Sequence, residues 1–397
     1  MISCYIRLRY GPVYKILVGG RRITVVSSPD TIANFFRDQT GALHTGKQNL
    51  QIFRAVGDIN IGHEYLHEVT DGMLFPVISD CLSKNNLETF TSDFAKHFHR
   101  FMEPFSTSTS TTLPLVHLVS EGMYKAASLA IFGPLFPTDS HRDFTFVDGN
   151  IHMLLLPVPF FGAAAKRARR RLLSQVGEYI KNGWRSEEDG HIEGASELAS
   201  RCVRILKRCS LSHDNVAATF LVFMWGIHSM SMRSSFWVVA HLLTHENALK
   251  SVREEVDNVI AATEGGLHTL LNSPYALDAM HLPLLDSAVK ETMRHITVMG
   301  GMREAMVDVE IRGADQTYII RKGELISAYL GAQNHNENEF CDPYAYKFDR
   351  FAGDSGKRLH SLVRMNWGGG RHLVLFQSFS LCSPNLHTLT VQGSPFR

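Results

Sequence analysis

The amino-acid sequence predicts a mainly α-helical protein with a small β region. Hydrophobic residues make up 44% of the 397 residues and charged residues 20%, which supplies enough apolar side chain for a large buried core. Residues 64–262 have a mostly helical pattern, and short β-branched runs lie on both sides of them. The chain has no internal repeat and no Pro/Ser-rich linker, so one mixed, mainly helical domain is the simplest prediction.

The first predicted elements are two strands and a helix. Residues 12–27, PVYKILVGGRRITVVS, are rich in β-branched side chains around Gly19-Gly20, which is typical of a hairpin. Ser28-Pro29-Asp30 resembles an amino-terminal cap and predicts a short helix from Thr31 to Asp38.

Helices then dominate until strand-like segments return near residue 307. The predicted helices cover 81–104, 112–132, 163–184, 214–243, 245–262 and 283–295. The longest, Asp214 to Leu243, is apolar almost all round in its middle, which predicts a buried central helix. The predicted later strands are Val307–Ile311, Tyr318–Ile320 and Leu325–Tyr329, followed by loop-rich residues 336–373.

Charge, cysteine content and hydropathy exclude several classes of protein. Lys and Arg total 40 and Asp and Glu total 39, so nothing in the charge balance favours nucleic acid as a partner. Six cysteines without a CxxC pair predict free thiols rather than a disulfide framework. The longest apolar run, Met153 to Ala165, is shorter than the roughly 20 residues that cross a bilayer and contains two prolines.

Three motifs follow one another in the last third of the chain. Glu291 and Arg294 lie three residues apart on a predicted helix and can pair on one face. A segment rich in aromatic residues, Asp342–Phe351, comes about fifty residues later and contains Arg350. Trp367 then opens a glycine-rich loop, WGGGRHL. An isolated Glu–Arg pair is usually an exposed ion pair that contributes little to stability. The order of the three motifs, and not the pair alone, is therefore the informative feature.

This ordered set resembles the cytochrome P-450 family of haem-thiolate monooxygenases. The resemblance implies that Glu291, Arg294 and Arg350 form a buried three-way ion pair, because a buried charge without a partner is costly. It covers residues 1–373 and implies the mainly α cytochrome P-450 fold. We expect the chain to lack the family's amino-terminal anchor and its carboxy-terminal haem-ligand loop and helix.

The resemblance is closest to the sterol 7α-hydroxylase and prostacyclin synthase branch. Tyr10-Gly11-Pro12-Val13, residues 317–323 and the HNENEFCDP stretch at 335–343 carry it, together with a distal helix containing Trp225 and Trp237. Ser229 and Met230 occupy the positions where many members carry an acid–alcohol pair. The implied substrate-lining residues are Trp225, Ile227, His228, Met230, Val298 and Met299.

The resemblance also implies a cofactor and partners. Haem is the expected cofactor, with Arg303, Trp367, Gly370 and His372 on its side of the site, the two basic residues near its propionates. The implied reaction is monooxygenation of a small lipophilic, sterol-like substrate, using dioxygen and electrons from a flavoprotein reductase. The implied location is the endoplasmic reticulum membrane.

The family's thiolate position departs from the pattern. Val374 stands where the axial Cys belongs, and valine has no donor atom for iron. Residues 374–397 do not resemble the family, which suggests a gene-model artefact such as an unspliced intron or a frameshift, and Cys382 lies eight residues too late to be more than a weak ligand candidate. Two interpretations stay open: an active monooxygenase, or a catalytically dead truncated homologue.

Two further motifs suggest other functions. His63-Glu64-Tyr65-Leu66-His67 is an HExxH motif, which on a helix could bind zinc as in metallopeptidases, with Glu88 as a third ligand. The basic run 166–171 is predicted to be a solvated helix face rather than a nucleic-acid site. If the family resemblance holds, residues 153–161 (MLLLPVPFF) lie near a membrane surface.

Overall fold

The computed structural model describes ten segments of the chain. These are residues 11–18, 20–37, 41–81, 84–106, 112–155, 162–183, 192–209, 211–273, 281–353 and 357–368. Gly370, His372, Val374 and Cys382 lie outside the described residues, as does the whole of the predicted tail at 374–397.

Helices make up most of the described structure, as predicted. They are α1 (Pro29–Arg37), α2 (Gly46–Ile52), α3 (His63–Tyr65), α4 (Phe75–Cys81), α5 (Lys84–Ser106), α6 (Leu115–Phe132), α7 (His141–Gly149), α8 (Ile151–Leu155), α9 (Ala163–Gly183), α10 (Glu197–Arg208), α11 (His213–Thr244), α12 (Glu246–Ala262), α13 (Gly266–Asn272), α14 (Pro283–Ile296), α15 (Leu330–Asn334) and α16 (Lys357–Arg364). Segments Phe53–Gly57 and Leu66–Leu74 are π-helical, and Met365–Trp367 is a 3-10 turn.

Seven strands in the described part of the chain form two small sheets. They are β1 (Val13–Val18), β2 (Arg21–Val26), β3 (Leu43–His44), β4 (Met299–Ala305), β5 (Val309–Arg312), β6 (Thr317–Ile320) and β7 (Leu325–Tyr329). The larger sheet has the order β1-β2-β7-β4-β3, and β5 pairs with β6. The β1–β2 hairpin is antiparallel, whereas β2 runs parallel to β7.

The described residues group into two compact units, each made of separate stretches of chain. The first comprises the described parts of Met1–Gln48, His241–Val252 and Leu282–Gln377, and the second those of Asn49–Ala240, Arg253–His281 and Ser378–Arg397. Helix α11 therefore contributes its last four residues to the first unit and the rest to the second. The single domain expected over residues 1–373 stays a prediction.

The core of the first unit lies between the sheets and α1. Ser28 caps α1 through its hydroxyl, which accepts from the Thr31 amide, and the helix buries Ile32 and Phe35. These side chains pack with Ile326 and Ala328 of β7. Three consecutive residues of β7, Ile326 to Ala328, are buried, so both faces of this central strand are covered.

The core of the second unit is a cluster of aromatic rings around α11. Tyr124 and Phe132 of α6 lie within 4.6 and 6.2 Å of the His228 ring. The Phe220 ring lies 5.1 Å from Phe132, and the Tyr179 hydroxyl of α9 donates to the Phe132 carbonyl at 2.6 Å. The prediction that α11 is central and buried is confirmed for its apolar middle within this unit.

Strand β4 was missed because its sequence does not look like a strand. Residues Met299–Ala305, MGGMREA, contain two glycines and two charges, yet they pair with β7 and form β4. Gly301 adopts a φ of +84°, a left-handed conformation that a side chain disfavours, at the irregularity between Met299 and Met302. Tertiary pairing overrides the weak local propensity here.

Candidate functional site

Glu291 and Arg294 form a fully buried ion pair on α14. Arg294 donates from Nε to Oε2 and from Nη2 to Oε1 of Glu291, both at 2.8 Å, in a bidentate arrangement. Its Nη1 donates to the carbonyls of Asn334 and Pro343 at 2.6 and 2.7 Å. Nη2 also donates to Nε2 of His295 at 2.7 Å. All five N–H groups of Arg294 are therefore used, which makes its burial tolerable.

Arg350 joins the same carboxylate from the loop-rich segment. Its Nε lies 3.0 Å from both carboxylate oxygens of Glu291, and its side chain is only 6% exposed. Its two terminal nitrogens donate to the carbonyls of Cys341, Asp342 and Ala345. The structure thus brings together the three residues of the predicted triad, and Arg350 also organises the loop that carries it.

The ionised form of Glu291 is strongly favoured. Burial alone would raise the pKa of Glu291, but hydrogen bonds from Arg294 and the charges around it outweigh burial and lower the pKa to about 2. The Lys347 amide adds a further hydrogen bond to Oε1 at 3.0 Å. Nε2 of His295 also lies 3.4 Å from Oε1 of Glu291.

A layer of imidazole and phenol rings packs beside this network. The His241 ring is stacked on Tyr346 at 4.4 Å, and the His295 ring lies 5.8 Å from it. Tyr346 donates to the Ala288 carbonyl of α14. Burial, followed by the neighbouring imidazoles, lowers the pKa of His241, and burial raises the pKa of Tyr346. Burial therefore favours the uncharged forms of His241 and Tyr346.

Arg303 lies inside the first unit on β4. The residue is 4% exposed, and its guanidinium lies 4.4 Å from the Phe35 ring and 5.7 Å from the Phe36 ring. Nη1 donates to the Phe35 carbonyl at 2.7 Å. A cation held by ring faces and a carbonyl is suited to receive a carboxylate, but its role toward a propionate stays a proposal.

A buried amide lies beside the start of the glycine-rich loop. Asn366 immediately precedes Trp367, and its Oδ1 accepts from Nδ2 of Asn334 at 2.9 Å. Its own Nδ2 is buried and has no hydrogen-bond partner among the described residues. The turn that contains Asn366 packs against β4, the strand of Arg303. Two donors on contacting elements fit a cofactor that carries carboxylates, as haem does.

Two predicted substrate-lining residues lie in the packed interior. Ile227 is 1% exposed. His228 is fully buried and shares a hydrogen bond with the Ser128 hydroxyl at 3.2 Å. Burial lowers the pKa of His228 to about 3, so its imidazole is neutral. Tyr124 of α6 and Phe144 of α7 pack against the His228 ring. The expectation that Ile227 and His228 line the substrate site stays a prediction.

A different face of α11 is open in the second unit. Between Val216 and Ala240 the exposed positions are Gly226, Met230, Arg233 and Trp237. Met230 was predicted to line the substrate site, and it is 48% exposed. Of the predicted lining residues in the first unit, Val298 and Met299 are 51% and 50% exposed. These three side chains are therefore accessible to a ligand.

Trp225 donates to a carboxylate that was not among the residues predicted for the site. Asp148 of α7 accepts from the Trp225 Nε1 at 2.9 Å and from the Ser229 hydroxyl at 2.6 Å, both at Oδ1. Its Oδ2 accepts from Nη2 of Arg233 at 2.7 Å. The three donors follow one another at intervals of four residues, so they lie along one side of α11. That spacing is the only signal in the sequence that could have indicated a shared partner.

The two alternative motifs find no support. The side chains of His63, His67 and Glu88 lie outside the description, and in the described part of the chain no three His, Cys, Asp or Glu side chains are grouped as metal ligands.

The prediction that the basic run 166–171 is a solvated face is wrong at Arg169. That side chain is buried because it donates to the Arg54 and Ala55 carbonyls and pairs with Asp58.

Membrane features are limited in the described residues. No helix among them is both long and apolar enough to span a bilayer. Residues 156–161 of the predicted lipid-facing segment lie outside the description.

Comparison with known proteins agrees with this architecture. A family model for Cytochrome P450 matches residues 2–373. The 7-alpha-hydroxycholest-4-en-3-one 12-alpha-hydroxylase of Homo sapiens is 22% identical over 407 residues, which cover 96% of this chain and 79% of that protein. The prostacyclin synthase of Rattus norvegicus is 27% identical over 195 residues, covering 46% of this chain and 38% of that protein.

A solved structure shares the fold. The retinoic acid bound cyanobacterial CYP120A1 superposes with a TM-score of 0.72 at 18% identity, covering 98% of this chain and 86% of that one. The mainly helical fold with its small sheets and a triply held glutamate defines the haem-thiolate class of oxidoreductases. The chain belongs to the cytochrome P450 family, as the match over residues 2–373 shows. The predicted resemblance is confirmed, and the family implies haem iron as the cofactor.

Proposed function

We propose that this protein is a haem-dependent monooxygenase of a small lipophilic, sterol-like substrate. The observation that carries the proposal is the Glu291–Arg294–Arg350 network, fully formed and buried, in a chain that matches the family over residues 2–373. Relatives named as sterol hydroxylases, such as the cholesterol 7-alpha-monooxygenase of Cricetulus griseus at 27% identity over 206 residues, support a sterol-like substrate.

Different residues of this chain would hold the haem and contact the substrate. Bound haem would supply the activated oxygen that enters a C–H bond of the substrate. Arg303 and Asn366 would hold its carboxylates, since both are buried donors on contacting elements. The ion-pair network joins α14 to the loop that carries Arg350. The exposed Met230 offers apolar contact but no proton.

The partners and location follow from the same family. We propose a flavoprotein reductase as electron donor and the endoplasmic reticulum membrane as the site of action, because the relatives' names indicate lipophilic substrates.

Product analysis tests the proposed activity. Purified protein loaded with haem, supplied with reductase, NADPH and a panel of sterols, is expected to give a hydroxylated product detected by mass spectrometry. The matched control omits NADPH, because electrons are needed to reduce dioxygen. A haem-loaded, folded protein that consumes no NADPH with any member of the panel would contradict the activity.

Val374 favours a second candidate, a catalytically inactive homologue. Valine at the thiolate position cannot ligate iron, and thiolate ligation is what favours O–O cleavage in this family. The absorption spectrum of the reduced, CO-bound protein separates the candidates. The thiolate signature in the wild type, lost in Cys382→Ser, would show that Cys382 serves instead. A spectrum without that signature, restored by Val374→Cys, supports the inactive homologue.

A further inference from the structure

The open face of α11 is a single stripe of mixed character. Gly226, Met230, Arg233 and Trp237 are spaced by four, three and four residues, which matches about 3.6 residues per turn and places them on one side. Met230 and Trp237 are 48% and 45% exposed. Among the described residues, nothing outside the helix's own backbone lies within 4 Å of the position that a Cβ at Gly226 would take. The stripe therefore offers apolar contact surface beside open space.

Arg233 is the one charged residue of the stripe. Its side chain is 55% exposed. Within the described residues only Nη2 has a hydrogen-bond partner, namely Asp148. Nε and Nη1 thus remain available as donors in a planar group that suits a carboxylate.

Asp148 holds the guanidinium in place before any ligand arrives. The residue is 7% exposed, and its Oδ1 is occupied by Trp225 and Ser229 while Oδ2 receives Arg233. Trp225 and Ser229 are neutral donors that hold the Asp148 carboxylate in position. The carboxylate therefore stays ordered without relying on Arg233 alone. A side chain that is already ordered loses less entropy on binding, which favours recognition.

We propose that Arg233, anchored by Asp148, binds the carboxylate of a lipophilic acid whose apolar body lies along Met230 and Trp237. The proposal rests on the proposed function and deepens it, because it names the substrate class as lipophilic carboxylic acids. Charge complementarity selects this occupant: a cation between two apolar side chains matches an anionic group on an apolar body. Asp148 is a positioning residue for Arg233.

Binding of a matched pair of steroids tests the proposal. Cholanic acid, a steroid carboxylic acid, and the corresponding steroid alcohol share one apolar body, and their affinities are measured by equilibrium dialysis at neutral pH. The wild type is expected to bind the acid about 10- to 100-fold more tightly than the alcohol, the range expected for one charged hydrogen bond. Arg233→Met is expected to abolish that preference while it leaves affinity for the alcohol unchanged.

Two further variants separate recognition from structure. Asp148→Asn keeps an oxygen for Trp225 and Ser229 but cannot accept from Arg233 at the other position, so the preference for the acid is expected to fall by a smaller factor. Arg171→Met is the matched control, because Arg171 is 60% exposed and pairs with another carboxylate of α7, Asp143. This control is expected to keep the wild-type preference.

The outcomes distinguish this proposal from the one on which it rests. Equal binding of acid and alcohol to the wild type would overturn the role of Arg233 and leave the proposed function standing. Binding of neither steroid to the folded protein would overturn the sterol-like substrate and this inference with it. Arg233→Met could instead lower the haem content and leave the preference for the acid unchanged. That result would show that the guanidinium binds haem, and it would overturn the inference.

Discussion

Replacing Glu291 with glutamine is expected to lower the free energy of unfolding by about 3 to 5 kcal/mol, the range for breaking a buried charge network by removing one partner. Glutamine has nearly the same volume, so the effect comes from charge and not from a cavity. Arg294 is completely buried, and Arg350 nearly so. Both guanidinium groups would lose the carboxylate that compensates them. Urea unfolding at pH 7 followed by circular dichroism measures the change.

Glu324 provides the matched control in the same unit. It pairs with Lys15 at 2.6 Å, and the two side chains are 25% and 48% exposed. Exposed ion pairs contribute about 0 to 1 kcal/mol, so Glu324→Gln is expected to change stability within that range. Similar losses in Glu291→Gln and Glu324→Gln would show that the buried network does not stabilise the fold.

Acidification from pH 7 to pH 4 is expected to destabilise the protein by about 3 kcal/mol through His228 alone. Burial holds the pKa of His228 at about 3 in the folded state, below the roughly 6.5 of an unfolded chain. The unfolded state therefore binds a proton in this range and the folded state does not. Stability that is fully present above about pH 6.5 falls by about 1.4 kcal/mol per pH unit as the pH drops toward 3.

The variant His228→Phe isolates this contribution. Other buried imidazoles also have lowered pKa values, including His141 and His241, so the wild type and the variant are compared for the slope of stability against pH. His228→Phe is expected to reduce the slope between pH 6 and 4 by about 1.4 kcal/mol per pH unit, which corresponds to the uptake of one proton. His152→Phe, at an exposed position of α8, is the matched control for removing an imidazole. Equal slopes in His228→Phe and the wild type would refute the assignment.

The sequence was most informative for the ion-pair residues and for the long apolar helix. Glu291, Arg294 and Arg350 were predicted from motif order, and the structure places them within hydrogen-bond distance. The long helix α11 was predicted as 214–243 and runs from His213 to Thr244, because its apolar middle admits no other placement. The triad therefore followed from the family resemblance, whereas the helix followed from its local apolar pattern.

The sequence was least informative where a contact joins distant positions. Asp148 lies 77 residues before Trp225, and an Asp-Gly pair at a helix end is usually only a turn signal. Similarly, only the packing of α6 and α7 decides which side of α11 is open. Those choices depend on tertiary contacts, which a single sequence does not encode locally.

Titration of the purified protein with haem tests whether the fold holds this cofactor, which both proposals assume. We expect a saturable, equimolar complex with a shifted haem absorbance. It also predicts weaker uptake in Arg303→Met than in Arg321→Met, a control in which the lost cation is the 67% exposed partner of Asp308. A wild-type protein that is folded by circular dichroism yet leaves the haem absorbance unchanged would contradict the account.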